Sequence, residues 1–218
     1  MSKKVLATML AATMLMGATA STVSAAGFTA PEGVDPSEYH LAICIHSMDN
    51  EYWAQEAKGA QLAAEYYGVE ADILTCDSDD NKQIQGIKDY IAQYGDKAIF
   101  VVDPSSTANT VNIAETCEDA GVYVSILAHR AEGLYPADYP HFVASLMLDD
   151  MAIGKATASA LFEAIGGEGQ VAELQGLLGD DSATNRHAAF EEALKDYPDI
   201  EVVDSLRSEE RRVGKECR

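Results

Sequence analysis

The stretch HLAICIHSMDNEYWAQEAKGAQLAAEYYG, residues 40–68, carries the pattern that decides the fold. Residues 40–46 form a short apolar run that is typical of a buried strand. From residue 51 onward, apolar side chains recur with the spacing of one helix face, and Gly68 follows them as a C-cap. A buried strand that leads directly into a helix predicts the first half of a βαβ unit.

The same strand–helix rhythm continues to residue 148. Further apolar runs predict strands over 69–76, 97–103, 122–128 and 141–148. One helix between them is predicted behind an N-cap at Asp80 or Asn81 and ends at Gly95, and the next covers 104–121. Near-continuous apolar strands separated by helices predict an α/β fold, with a parallel doubly wound sheet that helices cover on both faces.

A second lobe is predicted to begin near residue 149. A helix opens behind Asp149 and Asp150, and a strand, a helix and a strand are predicted over 169–176, 182–197 and 200–206. We therefore predict an N-terminal α/β lobe over 40–148 and the start of a second α/β lobe, incomplete, over 149–206.

Both ends of the chain read as segments outside the fold. Residues 1–25 have two lysines, an apolar run and small residues before Ala25, which predicts a secretory signal peptide cleaved after Ala25. The apolar run is too short for a membrane anchor and is interrupted by Thr and Gly residues, so we expect no membrane insertion of the mature form. Residues 26–39 read as a flexible leader, and residues 207–218 resemble the translation of a sequencing adapter, so we expect them to be non-native.

The charge excludes some classes of partner. The formal net charge is −21, which repels nucleic acid and anionic membrane surfaces. The cysteines Cys44, Cys76 and Cys117 favour buried free thiols, although a bridge between the first two stays open.

Polar residues follow each predicted strand, at the edge where open parallel sheets bind ligands. The first of these loops contains Asn50, Tyr52 and Trp53, and Trp53 is the only tryptophan in the chain. Aromatic faces beside amides and carboxylates are typical of a small-molecule site. The alternative is that the two aromatics are core residues of the first helix, and spacing alone leaves both interpretations open.

No motif indicates catalysis, a cofactor or a metal. The first turn contains no glycine, so neither a dinucleotide fingerprint nor a phosphate loop fits, and CxxC and HExxH spacings are absent. The pair Asp149/Asp150 is typical of helix caps. We therefore expect a protein that is not an enzyme and that has no cofactor and no metal site.

Four segments within residues 40–206 carry a family pattern: AICIHSMDNEYWAQEAKGAQLAAEYYG, AIFVVDPSSTA, VYVSILAHR and VAELQGLLGDDSATNRHAAFEEAL. Together they resemble the periplasmic sugar-binding proteins of the ribose/galactose type, the receptors of ABC importers. The resemblance implies the two-lobed type I periplasmic-binding-protein fold.

The resemblance also implies site residues. Asn50, Tyr52 and Trp53 fall on the family's first-loop ligand contacts, and Arg186 falls on an arginine that binds sugar hydroxyls from the second lobe. Asp149 falls on a carboxylate near the hinge, with Asp150 as the alternative. The contact after the fourth strand passes to His129 or Arg130.

The implied function is hinge closure around a monosaccharide or polyol, followed by delivery to an ABC permease or a chemoreceptor. The protein would be a monomer in the periplasm or secreted, with no nucleic-acid partner. The alternative with the same fold is the ligand-sensing input domain of a membrane signalling receptor.

Overall fold

The structure is a computed structural model that describes residues 30–129, 133–177 and 179–207. The chain divides into two compact units, with the boundary between Met147 and Leu148. The predicted signal peptide, residues 26–29 of the leader and residues 208–218 of the predicted tail lie outside the described residues.

The first unit alternates strands and helices. Its strands are β1 (His40–Ile45), β2 (Glu70–Thr75), β3 (Ala98–Val102), β4 (Tyr123–Leu127) and β5 (Phe142–Leu146). Its helices are α1 (Glu51–Tyr67), α2 (Asp80–Tyr94) and α3 (Asn109–Ala120). Every strand pairing is parallel, and the strand order is β2-β1-β3-β4-β5. The predicted parallel α/β sheet is confirmed.

Two apolar clusters show why this sheet is stable. One contains Ile87, Phe100 and Phe142, and the other contains Ile43, Ala60 and Val101. Since neighbouring residues on a strand point to opposite faces, Phe100 and Val101 of β3 bury one side chain in each cluster. The sheet is therefore covered on both faces, which is why its strands read as unbroken apolar runs.

Helix ends follow from local chemistry, and two predicted starts were wrong. Gly68 closes α1 with φ +70, in the left-handed region that glycine adopts without strain. The N-cap of α2 is Asp79, whose carboxylate accepts from the Lys82 N–H at 2.9 Å, and not Asp80 or Asn81. The third helix begins at Asn109 rather than 104, because residues 104–108 form a turn.

The second unit contains two helices and a two-stranded parallel sheet. Its elements are α4 (Asp150–Ala164), β6 (Glu168–Gln175), α5 (Asp181–Leu194) and β7 (Asp199–Arg207). Its core contains Ala158, Phe162, Val171 and Ala193. The strand order is β6-β7, the minimal parallel pair that a helical crossover joins.

The cysteines of the first unit are free thiols. Cys44, Cys76 and Cys117 are all buried and unbridged.

Within the described ranges, no helix is both long enough and apolar enough to cross a membrane.

Candidate functional site

The carboxyl ends of β1, β3 and β4 bring together three polar side chains of the first unit. His46 follows β1, Asp103 follows β3 and His129 comes shortly after β4. These strands are neighbours in the sheet, so residues just beyond their ends meet at one edge. One ligand-type atom from each residue lies within 4.8 Å of the others. We call His46, Asp103 and His129 the strand-end cluster.

Asp103 is the centre of this cluster and is only 2% exposed. The indole N–H of Trp53 donates to its Oδ2 at 2.9 Å. Its Oδ1 lies 3.6 Å from His129 Nε2 and 3.9 Å from His46 Nε2. A buried carboxylate needs such polar neighbours because leaving water is costly for a charge.

The two adjacent aromatics have different surroundings. Trp53 is partly buried, packs against the core and stacks on the His46 ring at 4.4 Å between centroids and 4° between planes. Tyr52 is 52% exposed and meets Trp53 edge-on. Asn50 is the N-cap of α1, and its Oδ1 accepts from the Tyr52 N–H at 2.9 Å. Trp53 therefore contacts both the core and the cluster, whereas Tyr52 exposes its ring to solvent. The interpretation of the two aromatics as ligand contacts stays a prediction.

Glu56 adds a second carboxyl group that the sequence interpretation missed. It lies one helical turn after Trp53, and its carboxyl interacts with that of Asp103. Burial raises the pKa of Glu56 to about 7. The interaction with Asp103 acts in the opposite direction and lowers this pKa, so burial is the cause of the net rise.

A buried amide braces the turn that carries Asp103. Gln83 on α2 donates from Nε2 to the Asp103 carbonyl at 2.8 Å, and its Oε1 accepts from the Ser105 N–H at 2.9 Å. Asn109 donates to the same Oε1 at 3.0 Å. These bonds tie the end of β3 to α2 and α3 and fix the backbone on which the Asp103 side chain stands.

His129 sits on a constrained backbone. The preceding residue, Ala128, has φ +59, a conformation that non-glycine residues rarely adopt. His129 is buried, and its Nδ1 lies 3.3 Å from Thr107 Oγ1. Backbone strain of this kind concentrates at functional sites. Arg130, the alternative at this strand end, lies outside the described residues.

Among the described residues, the strand-end cluster is the group of side chains that most resembles a set of metal ligands. His46 Nε2, however, lies 2.9 Å from the Pro104 carbonyl oxygen. A carbonyl can only accept, so this nitrogen carries the proton, and a protonated nitrogen cannot coordinate a metal. His46 Nδ1 is in turn 3.0 Å from Ser78 Oγ. In this arrangement His46 is a hydrogen-bonding side chain rather than a ligand.

The second unit separates the two candidate aspartates. Asp149 is the N-cap of α4, where its Oδ1 accepts from the Ala152 N–H at 2.9 Å. Asp150 is buried and forms an ion pair with Arg186, whose Nη2 lies 2.7 Å from Asp150 Oδ1. The structure thus brings Arg186 to Asp150, the alternative, rather than to Asp149.

The sequence interpretation did not assign His46, Glu56 or Asp103 to the site. His46 and Asp103 follow strands directly, and that position was the signal that could have found them. Glu56 carried no comparable signal, because a glutamate on a surface helix usually faces solvent.

Comparison with known proteins identifies the family. A family model described as periplasmic binding protein domain matches residues 41–214. The chain is 29% identical over 163 residues to the D-apiose import binding protein of Actinobacillus succinogenes, a match that covers 75% of this chain and 50% of the relative.

Solved structures share the fold. A twin-arginine translocation pathway signal protein from Burkholderia phytofirmans matches with a TM-score of 0.76 and 33% identity, over 80% of this chain and 54% of that one. The fructose binding periplasmic domain of a hybrid two component system matches with a TM-score of 0.62 and 21% identity, over 78% of this chain and 54% of that one.

The chain spans about half the length of the relatives that it matches. The parallel five-stranded sheet, its strand order and these matches confirm the predicted type I periplasmic-binding-protein fold. The resemblance that the sequence motifs indicated is therefore confirmed, and the chain belongs to the periplasmic binding protein domain family.

Proposed function

We propose that this chain is part of an extracytoplasmic solute-binding protein that delivers a monosaccharide or polyol to an ABC importer. The observation that carries the proposal is the strand-end cluster, in which Asp103 and two imidazoles lie beside Trp53 at the carboxyl edge of a parallel sheet. The similarity to a protein named D-apiose import binding protein also supports the proposal.

The chemistry of the first unit suits a neutral polyhydroxy ligand. A buried carboxylate accepts hydrogen bonds from hydroxyl groups, and imidazole nitrogens both donate and accept. The exposed ring of Tyr52 offers an apolar face to the C–H side of a sugar ring. The net charge of −21 and the Glu56–Asp103 pair disfavour an anionic ligand.

The second unit would supply Arg186 to the same ligand. In this proposal, hinge closure of the two lobes brings Arg186 to a ligand that is bound by Asn50, Tyr52 and Trp53 and by His129 or Arg130, the residues that follow β4 in the sequence. Closure around a ligand is a common device of two-lobed binding proteins. The closed, monomeric form would then dock on the permease or a chemoreceptor.

The predicted signal peptide supports a location in the periplasm or outside the cell, and cleavage after Ala25 would release the protein from the membrane. A second candidate is the input domain of a signalling receptor, since the fructose binding periplasmic domain of a hybrid two component system has a similar fold. The first candidate predicts that the secreted protein begins at Ala26 and is recovered in osmotic-shock fluid. Retention in the membrane fraction would favour the receptor.

Calorimetric titration of the complete gene product with pentoses, hexoses and polyols tests the proposal. We expect one sugar class to bind at a single site, and we expect Arg186→Ala and Asp103→Asn each to weaken binding by about tenfold or more, because each removes a charged hydrogen-bonding group. Glu65→Gln, on an exposed position of α1, is the control and should leave affinity unchanged. The absence of binding across the panel would contradict the proposal.

A further inference from the structure

Asp150 is a carboxylate that is only 5% exposed, at the first residue of α4. Both of its oxygens are engaged. Arg186 Nε donates to Oδ1 at 2.8 Å and Nη2 lies 2.7 Å from the same atom, while Ser182 Oγ donates to Oδ2 at 2.8 Å. Asp150 is thus the fixed point to which two side chains of α5 are attached.

The contact restrains Arg186 along one edge of its guanidinium group. The Arg186 side chain is 47% exposed, so the group is anchored at Asp150 and open elsewhere. A guanidinium is a rigid planar fork, and holding its Nε and Nη2 atoms also fixes the direction of the remaining N–H groups. Those groups are suited to bind hydroxyl oxygens with little further loss of side-chain entropy.

The backbone around this pair is built for close approach. Gly154 lies one helical turn after Asp150 on α4. A Cβ atom at Gly154 would lie 2.8 Å from Arg186 Cα and 2.9 Å from the Arg186 carbonyl oxygen and from Ala189 Cβ. Only glycine allows α4 to approach α5 this closely, so the register that sets Asp150 against Arg186 is fixed by packing as well as by charge.

Stabilisation of the fold does not by itself explain an ion pair whose carboxylate is buried. The cost of removing a carboxylate from water offsets most of its attraction to an arginine, so an apolar pair of similar volume would serve the fold as well. The same two helices are already joined at their surface by Lys155 and Glu192, whose charged atoms lie 2.9 Å apart. A role in orienting the Arg186 guanidinium group therefore explains the Asp150–Arg186 pair better than stabilisation does.

We propose that Asp150 is a positioning residue: it holds the Arg186 guanidinium in the orientation in which its outer N–H groups bind the ligand. This inference rests on the proposed function, because Arg186 contacts a ligand only in that account. Asp149 then serves as the helix cap and Asp150 as the anchor of the arginine.

The orientation itself can be measured without a ligand. In ¹⁵N-labelled complete protein, the Arg186 Nε–H signal is assigned by its loss in Arg186→Lys, and its order is read from the heteronuclear NOE. We expect an ordered Nε–H in the wild type and in Glu192→Gln, the control that breaks the Lys155 pair between the same helices. We expect a mobile Nε–H in Asp150→Asn.

Sugar affinity is then measured in the same proteins. We expect Asp150→Asn to weaken binding by about tenfold and Glu192→Gln to leave it unchanged, because only the first frees the arginine. Should Asp150→Asn fail to fold, Ser182→Ala takes its place; it removes one bond to Asp150 and should produce a smaller loss of order and affinity.

Two results would overturn the inference. One is an Arg186 Nε–H that stays ordered, with unchanged affinity, in Asp150→Asn while Arg186→Lys weakens binding. The other is an equal loss of affinity in Asp150→Asn and Glu192→Gln, which would indicate a general effect on helix packing. A wild type that binds no sugar would instead contradict the proposed function, and the Nε–H signal would still decide whether Asp150 holds Arg186.

Discussion

The indole N–H of Trp53 donates a hydrogen bond of 2.9 Å to Oδ2 of Asp103. This bond joins the first turn of α1 to the end of β3, and Trp53 also stacks on His46 at the end of β1. The only tryptophan of the chain is therefore fixed by two strand ends. Its ring serves as a rigid wall of the candidate site. Because no other tryptophan occurs in this chain, the tryptophan fluorescence of the chain reports on the candidate site.

Trp53→Phe retains an aromatic ring beside His46 and removes the donor to Asp103. We expect the free energy of unfolding to fall by about 1.5–3 kcal/mol, the usual contribution of a hydrogen bond to a charged group. Urea unfolding followed by circular dichroism measures the change. Tyr52→Phe, at the exposed neighbouring position, should remain within about 0.5 kcal/mol of the wild type. Equal effects of both substitutions would contradict this assignment.

Glu56 should make stability depend on pH. Burial raises the pKa of Glu56 from 4.5 to about 7, so the folded protein binds this proton more tightly than the unfolded chain does. The contribution to the free energy of unfolding is then full below about pH 4.5 and is lost as pH rises through about 7.

Glu56→Gln keeps a polar side chain of nearly the same size and cannot titrate. We expect the variant to gain stability relative to the wild type between about pH 5 and about pH 8, in urea unfolding at several pH values. Glu65→Gln, on the exposed face of the same helix, is the control and should show no such trend. A constant difference between wild type and Glu56→Gln over this range would contradict the shifted pKa.

Gly154→Ala should separate α4 from α5. The added Cβ would lie 2.8 Å from the backbone of Arg186, and overpacking of this kind costs about 1–3 kcal/mol of unfolding free energy. Gly86→Ala, in a helical position of α2 where a Cβ meets nothing within 4 Å, should instead stabilise the protein by about 0.5–1 kcal/mol. Thermal unfolding of both variants checks the opposite signs, and destabilisation by both would refute the packing argument.

The three thiols of the first unit should be unreactive in the native protein. Burial raises the pKa of Cys44, Cys76 and Cys117, which lowers the fraction of nucleophilic thiolate. We expect an aromatic disulfide reagent to modify all three only after unfolding in urea. Rapid modification of any of them in the native protein would show that the first unit opens locally.

The order and type of the elements could be predicted from the sequence because parallel strands buried on both faces leave unbroken apolar runs. The start of α2 could not, because Asp77, Asp79, Asp80 and Asn81 are all good caps and only the turn geometry selects among them. Asp77 itself has φ +53, a left-handed backbone conformation, so the extended strand cannot continue through it.

The candidate site was only partly predictable for a related reason. The position of Asp103 after a strand is visible in the sequence, whereas its bond to Trp53 and its contact with Glu56 are tertiary contacts between distant segments. Likewise, the sequence alone does not distinguish the roles of the adjacent aspartates Asp149 and Asp150. Only the packing of α4 on α5 buries Asp150 and leaves Asp149 as the cap.

Titration of the complete protein with sugars, followed by the fluorescence of Trp53, tests the central claim most directly. The account predicts a saturable change in emission with one class of monosaccharide or polyol, which disappears in Trp53→Phe and shifts to higher sugar concentration in Asp103→Asn. Saturable sugar binding with no change in Trp53 emission, or with unaltered affinity in Asp103→Asn, would show that the strand-end cluster is not the binding site.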